Sequence, residues 1–200
     1  SETEEREAVE TMTELIEYYK GIFTILSSCA SRQLEEVTFR RTVIPVQELL
    51  DAAGKYFKKL MKNRPERIEL EIEPMEAKVI GDVNQLRFLL ENLIDEALTV
   101  REDGVIRLQA RKDNEYVRFL FTDTRREKSV EELNQLFYPN LARMTSGEKG
   151  ELRGTEYLVC KQIIRDHDEF AGRRGCRINA MPAEGGGFSV WFTLPLKRTE

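Results

Sequence analysis

Ile80-Gly81-Asp82-Val83-Asn84-Gln85-Leu86 and, a few residues on, Glu91-Asn92-Leu93-Ile94-Asp95-Glu96-Ala97-Leu98 decide how this chain is read. Asp82 with Gln85 three residues later has the form of a capping box, which marks a helix start. Leu86, Leu89, Leu90, Leu93, Ile94 and Ala97 then recur at three- and four-residue steps, the period of a helix with one buried face. Asp103-Gly104 supplies a turn. Beyond it, Val105–Arg111 and Tyr116–Thr122 alternate as paired strands around Lys112-Asp113-Asn114-Glu115.

Upstream of this centre, Val43-Ile44-Pro45-Val46 predicts an extended approach followed by a helix, because proline disfavours helix before it and tolerates one after it. Val46, Leu49, Leu50, Ala53, Phe57, Leu60 and Met61 form that helix's apolar stripe, and Asn63-Arg64-Pro65 ends it. Ile68, Leu70 and Ile72 alternate with glutamates in a strand with one wet face, and Lys78–Ile80 reads as its short companion. Downstream, Ser129-Val130-Glu131-Glu132 is a second capping box. Residues 139–153 read as a loop, Tyr157–Arg165 as a helix, and Cys176–Met181 with Phe188–Leu194 as a hairpin around Glu184-Gly185-Gly186-Gly187.

At the start of the chain, Met12, Leu15, Ile16, Tyr19, Ile22, Phe23 and Leu26 make an apolar stripe over about two heptads. A single helix cannot bury such a stripe alone. A core contact within the chain, a helical hairpin and a dimer contact all satisfy it. The fold class is α+β, with a long helix before it. Residues 1–38 form the helical segment and residues 39–200 the α+β body.

Composition narrows the function. The 200 residues carry 31 basic and 36 acidic side chains, net charge −5, with the signs interspersed. Nonspecific nucleic-acid binding needs a basic surface, so none is expected. Apolar runs are too short to span a membrane, and the acidic Ser1–Glu10 is no signal peptide. Cys29, Cys160 and Cys176 have no metal or redox spacing and suit a reducing, cytoplasmic compartment. His167 is the sole histidine, which excludes a His-rich metal site.

The order of elements resembles the ATP-binding domain of sensor histidine kinases, in the superfamily that includes gyrase and MutL. Five stretches carry the resemblance. Residues 80–98 are similar to the family's N box. Val117 through Asp123 is similar to the strand ending in the adenine-reading Asp. Leu136-Phe137-Tyr138-Pro139 is similar to the F box. Gly154 through His167 is similar to the glycine-rich lid end and the helix after it, and Gly185 through Pro195 to the closing hairpin. The resemblance implies a two-layer α/β sandwich with three helices covering one face of a mixed sheet, and identifies residues 1–38 with the second helix of a kinase dimerisation hairpin.

It also implies nucleotide contacts at Asn92, Glu96, Asp123, Arg153, Gly154 and Ser189, with Glu96 in the place of the family's magnesium-holding Asn. Several positions depart from the pattern. Glu96 brings negative charge toward a triphosphate. Arg125 stands where the family has glycine and is placed to pair bidentately with Asp123. Only Gly154 remains of the lid glycines, which free backbone N–H groups for phosphate. Glu156 at the following helix start offers the helix dipole an anion of the protein's own.

Three functions follow as expectations. The first is a pseudokinase signalling module with weak or no ATP binding. It has no catalytic residues and no cofactor, and it acts on a kinase or receiver partner and on a second copy through the 12–26 helix. The second is an active ATP-dependent protein-histidine kinase with Mg–ATP as cofactor, Glu96 on Mg²⁺, Asp123 on adenine, and Lys149 or Arg153 on phosphate. The third is an α/β module whose Asn92, Glu96, Asp123 and Arg125 bind another small ligand. In each case the chain is expected to be cytoplasmic, by itself or as the cytoplasmic part of a membrane-anchored protein, without direct membrane contact of its own.

Overall fold

The fold is that of a computed structural model. It describes residues 1–35, 39–138, 145–146 and 152–198, with side chains for 1–20, 39–138 and 154–198. Packing divides the chain into two units, Ser1–Thr38 with Tyr138–Thr155 and Phe39–Phe137 with Glu156–Glu200.

In the first unit, α1 spans Glu2–Glu35, with Glu2, Glu4 and Glu5 at its positive N-terminal end. Met12, Leu15, Ile16 and Tyr19 of the predicted stripe are 49–65% exposed, as is Val9 at 62%. The side chains of Ile22, Phe23 and Leu26 lie outside the described residues.

The second unit begins with β1 (Thr42–Pro45) and α2 (Val46–Met61), with Pro45 as the helix N-cap residue. Next come β2 (Ile68–Ile72), β3 (Lys78–Gly81) and α3 (Val83–Ala97). The hairpin β4 (Gly104–Asp113) and β5 (Tyr116–Asp123) follows, with Asn114 left-handed at its turn. The five-residue α4 (Val130–Asn134) has its capping box complete, Ser129 and Glu132 each bonding the other's backbone N–H.

Most of the 139–153 segment lies outside the described residues. Within it, the first unit's β6 (Thr145–Ser146) pairs antiparallel with β7 (Leu152–Arg153). The second unit resumes with α5 (Glu156–Phe170), β8 (Ile178–Pro182) and β9 (Phe188–Pro195). The helix α5 runs five residues beyond its expected end at Arg165, and His167 in the added turn continues the buried face.

The main sheet has the order β2-β4-β5-β9-β8. The β2–β4 pair is parallel and the others are antiparallel, so the sheet is mixed as expected. One assignment changes. Lys78–Ile80 does not accompany Ile68–Ile72; β3 pairs antiparallel with β1, setting Ile44 opposite Val79. Both of those residues are buried, and β2 instead joins β4, with Leu70 opposite Ile106. Burial of the apolar side chains, rather than nearness in sequence, selects the partner.

The helices α2, α3 and α5 bury one stripe each against a single face of the sheet, with α3 packed between the other two. Val117, Phe119 and Phe121 of β5 meet Leu194, Phe192 and Val190 of β9 on that face. Phe119 and Phe192 stack in parallel with centroids 4.8 Å apart. Burial at about 25 cal/mol per Å² of apolar surface drives this assembly.

The capping box at Asp82 forms by half. Its carboxylate accepts from the N–H groups of Asn84 and Gln85. Its own N–H donates to His167 Nε2 at 3.0 Å, not to Gln85, and Gln85 Oε1 is buried with no partner among the described residues. His167 Nδ1 lies 2.8 Å from the Ile163 carbonyl, so the ring is neutral with its proton on Nδ1. The sole histidine thus ties the end of α5 to the start of α3.

Candidate functional site

The C-terminal end of α3, the end of β5 and the start of α5 converge around one chain of charges. Asp123 is the last residue of β5, with its side chain 2% exposed. Two residues on, the side chain of Arg125 is 1% exposed. Its Nε donates to Asp123 Oδ1 and its Nη2 to Asp123 Oδ2, both at 3.0 Å, a bidentate pair. The Arg125 backbone N–H also donates to Oδ1 at 3.0 Å.

The guanidinium is used on its other side as well. Nη1 donates to the carbonyls of Val100 (3.0 Å) and Glu102 (2.9 Å), and Nη2 to that of Ala97 (2.6 Å). Helices end with unpaired carbonyls and a partial negative charge. Arg125 satisfies one at the last residue of α3 and two in the chain just beyond. Gly104 makes room for its stem, since a Cβ there would lie 2.5 Å from Arg125 Cγ.

Arg126 extends the network. Its Nε donates to Asp123 Oδ2 at 3.3 Å and its Nη2 to Glu96 Oε2 at 2.9 Å. The Tyr157 hydroxyl, from the first turn of α5, donates to the same Glu96 oxygen at 2.9 Å. Burial pushes the Tyr157 phenol well above its usual range, and the Glu96 charge adds to the effect. Burial alone would lower Arg126, but the Glu96 carboxylate beside it lifts it above its ordinary value. Chemically this is a connected ion-pair array. Both Asp123 oxygens and Glu96 Oε2 accept from the protein's own donors.

Beside Asp123 in register on β9 stands Phe188. Its buried ring has the Arg126 guanidinium carbon 5.7 Å and the Lys128 ammonium 5.3 Å from its centroid. Gly187 just before it packs directly on the β5 end. A Cβ there would fall 2.1 Å from the Asp123 carbonyl oxygen, and its φ of +84° is one that side chains rarely adopt.

Comparison with known proteins places this arrangement. Residues 81–198 match the model of the histidine kinase-, DNA gyrase B- and HSP90-like ATPase family. The chain belongs to this family.

Solved histidine kinases share the fold. The catalytic domain of histidine kinase ThkA, in a nucleotide-free form, is 20% identical with a TM-score of 0.60, over 78% of this chain and 97% of that one. The mycobacterial sensor histidine kinase MprB is 17% identical with a TM-score of 0.58, over 81% and 100%. ThkA in complex with the response regulator TrrA is 19% identical with a TM-score of 0.64, over 88% of this chain and 47% of that one. No curated protein matches.

Within this histidine-kinase-like ATPase domain, the expected nucleotide residues are distributed unevenly. Glu96 and Asp123 meet through Arg126. Asn92 lies one turn before Glu96 on α3, buried, with its Nδ2 donating back to the Phe88 carbonyl at 2.8 Å. Ser189 sits opposite Thr122, their hydroxyls 2.6 Å apart. Strand alternation puts both on the sheet face opposite to that of Asp123 and Phe188. Gly154 has a left-handed φ of +87°, a conformation for which glycine is suited. Glu156 is the first residue of α5 and the acidic residue of its first turn.

Arg153 belongs to β7, with its side chain outside the described residues, as are Arg143 and Lys149 altogether. Sequence reasoning did not single out Arg126, Tyr157, Gly187 or Phe188. The available signals were a second arginine beside Asp123 and a glycine immediately before the closing strand. The three-residue glycine run hid which of its members is sterically required.

Proposed function

We propose that this chain is a signalling module of histidine-kinase type that works through protein contacts, without turnover of ATP. Its single strongest support is the buried Asp123–Arg125 pair. In a nucleotide-reading site the aspartate must offer an oxygen to the base. Here each oxygen accepts from arginine, and Phe188 fills the paired position beside it.

The residues do not fit Mg–ATP. Glu96 is held by Arg126 and Tyr157, and it would place a carboxylate near phosphate if it were released. Displacing Arg125 would expose a buried charge and strip carbonyls at the end of α3 of their donor, a cost of about 3–5 kcal/mol for the broken pair alone. A ligand would have to supply that energy before any net binding. Glu156 adds a negative charge to the first turn of α5, the helix end that would otherwise favour phosphate.

The chain would pass its signal by dimerising along the α1 stripe and by holding a receiver or kinase partner in the cytoplasm. The exposed Met12, Leu15, Ile16 and Tyr19 support the first contact, and the regulator-bound state of the similar ThkA supports the second. Among the described residues no helix is long and apolar enough to cross a membrane.

Isothermal titration with Mg–ATP tests the nucleotide reading, which expects no saturable heat at micromolar concentrations. Sedimentation equilibrium tests the dimer. Leu15→Glu with Tyr19→Glu should shift the chain to monomer, and an unchanged mass would remove α1 as the interface.

A further inference from the structure

A groove of about 910 Å³ lies away from the Asp123 network, between the β1–β3 pair and the end of the chain. Its floor is apolar, built from Val43, Pro45 and Leu196, and Val43 is 48% exposed. Among the described residues its lining carries four cations, Lys78, Lys112, Lys197 and Arg198, against one carboxylate, Glu76. Among the described residues Lys78, Lys112 and Lys197 enter no ion pair, and Arg198 pairs with the exposed Glu115. This concentration of positive charge stands on a protein whose net charge is −5.

The groove is preformed by backbone pairing. Val79 bridges Leu196, and the Lys197 N–H donates to the Lys78 carbonyl at 2.8 Å, zipping the terminal segment onto β3. On the opposite wall, Gln47 Oε1 accepts from the Met75 N–H at 3.0 Å and fixes the approach to β3.

We propose that this groove is a docking site for an acidic segment of a protein partner, with an apolar side chain seated on Val43 and Leu196 and carboxylates facing the lysine rim. Charge complementarity selects the sign of the partner. The concave apolar floor selects a peptide over a phosphate backbone or a lipid surface, neither of which supplies a side chain to fill it. The site is separate from the proposed loss of nucleotide binding and does not depend on it.

The test uses the full chain and a short peptide of alternating glutamate and leucine, followed by amide chemical-shift mapping. A peptide of alternating lysine and leucine, phosphatidylglycerol vesicles and a DNA duplex serve as comparisons. Saturable shifts centred on Val43, Lys78 and Leu196 with the acidic peptide alone are expected, weakening as salt is raised. The double variant Lys112→Glu with Lys197→Glu, both exposed, should bind about tenfold or more weakly at an unchanged urea midpoint. Arg107→Glu, on the open face of the main sheet, should bind as the parent chain does. Equal binding of the lysine peptide, undiminished binding by the double variant, or binding of vesicles or DNA in place of the acidic peptide would each overturn the proposal.

Discussion

Replacing Arg125 by alanine is the perturbation that the charge network makes most costly. The side chain is 1% exposed and its partner Asp123 2%. Removing one member of a buried pair typically costs about 3–5 kcal/mol, because the other charge is left uncompensated. Arg126 Nε remains near Asp123 Oδ2 at 3.3 Å, which points to the lower end, about 3 kcal/mol. Three carbonyls also lose their donor. Those of half-buried Val100 and exposed Glu102 can take up water, and that of Ala97 still accepts from the Val100 N–H at 3.3 Å, so none is left without a partner.

The expected loss for Arg125→Ala is therefore about 3–5 kcal/mol, a large part of the roughly 5–15 kcal/mol that holds a typical domain together. Urea denaturation of the full chain measures it. Asp123→Asn and the double variant complete a thermodynamic cycle, whose coupling should exceed about 1.5 kcal/mol. A loss below about 1 kcal/mol for Arg125→Ala, the range of an ordinary surface change, would refute the buried bidentate pair.

Three other changes probe the surroundings. Gly187→Ala forces a Cβ to 2.1 Å from the Asp123 carbonyl oxygen at a φ of +84°, and should cost more than about 2 kcal/mol in the same urea assay. His167→Leu removes the acceptor of the Asp82 N–H and should cost about 1–3 kcal/mol, with faster hydrogen exchange at the Asp82 amide as its local signature. Burial pushes the Cys176 thiol from 9.0 up to about 12, with the Asp168 charge adding to it. Because the folded value is the higher, its stabilising contribution is complete below pH 9 and is lost as pH rises toward 12, by up to roughly 4 kcal/mol. Stability measured against pH should fall less steeply over that window in Cys176→Ala than in the parent chain.

The regular elements were legible because burial imposes period. Leu86 through Ala97 announced α3, and the alternation Phe188, Val190, Phe192, Leu194 announced β9 as a strand. Pairing was less legible. Lys78–Ile80 lies near Ile68–Ile72 in sequence, yet joins Thr42–Pro45, because strand partners are chosen by long-range burial that no local pattern records.

The Asp82 cap shows the same limit. Its Asp-x-x-Gln spacing announced the helix start, but the N–H that Gln85 would have accepted goes to His167, 85 residues away. At the candidate site, a two-residue spacing made an Arg125–Asp123 contact conceivable. Its second role, on the carbonyls of Ala97, Val100 and Glu102, depends on where the end of α3 comes to rest. Arg126 and Tyr157 meet at Glu96 from elements 31 residues apart, a convergence that only the folded chain supplies.

That second role also changes how nucleotide affinity could be restored. Arg125→Gly with Glu96→Asn and Glu156→Gly would clear charge from the site, but it would also take the donor from the end of α3. A failure to bind in that variant would therefore report on folding as much as on the site, and the intact chain is the better subject.

Selective labelling of arginine side chains, with the Arg125 Nε–H resonance followed as Mg–ATP is added, reports directly on whether Asp123 is already taken. The account predicts a slowly exchanging Nε–H signal that stays in place up to millimolar nucleotide. A shift of that signal saturating at low micromolar Mg–ATP would contradict it.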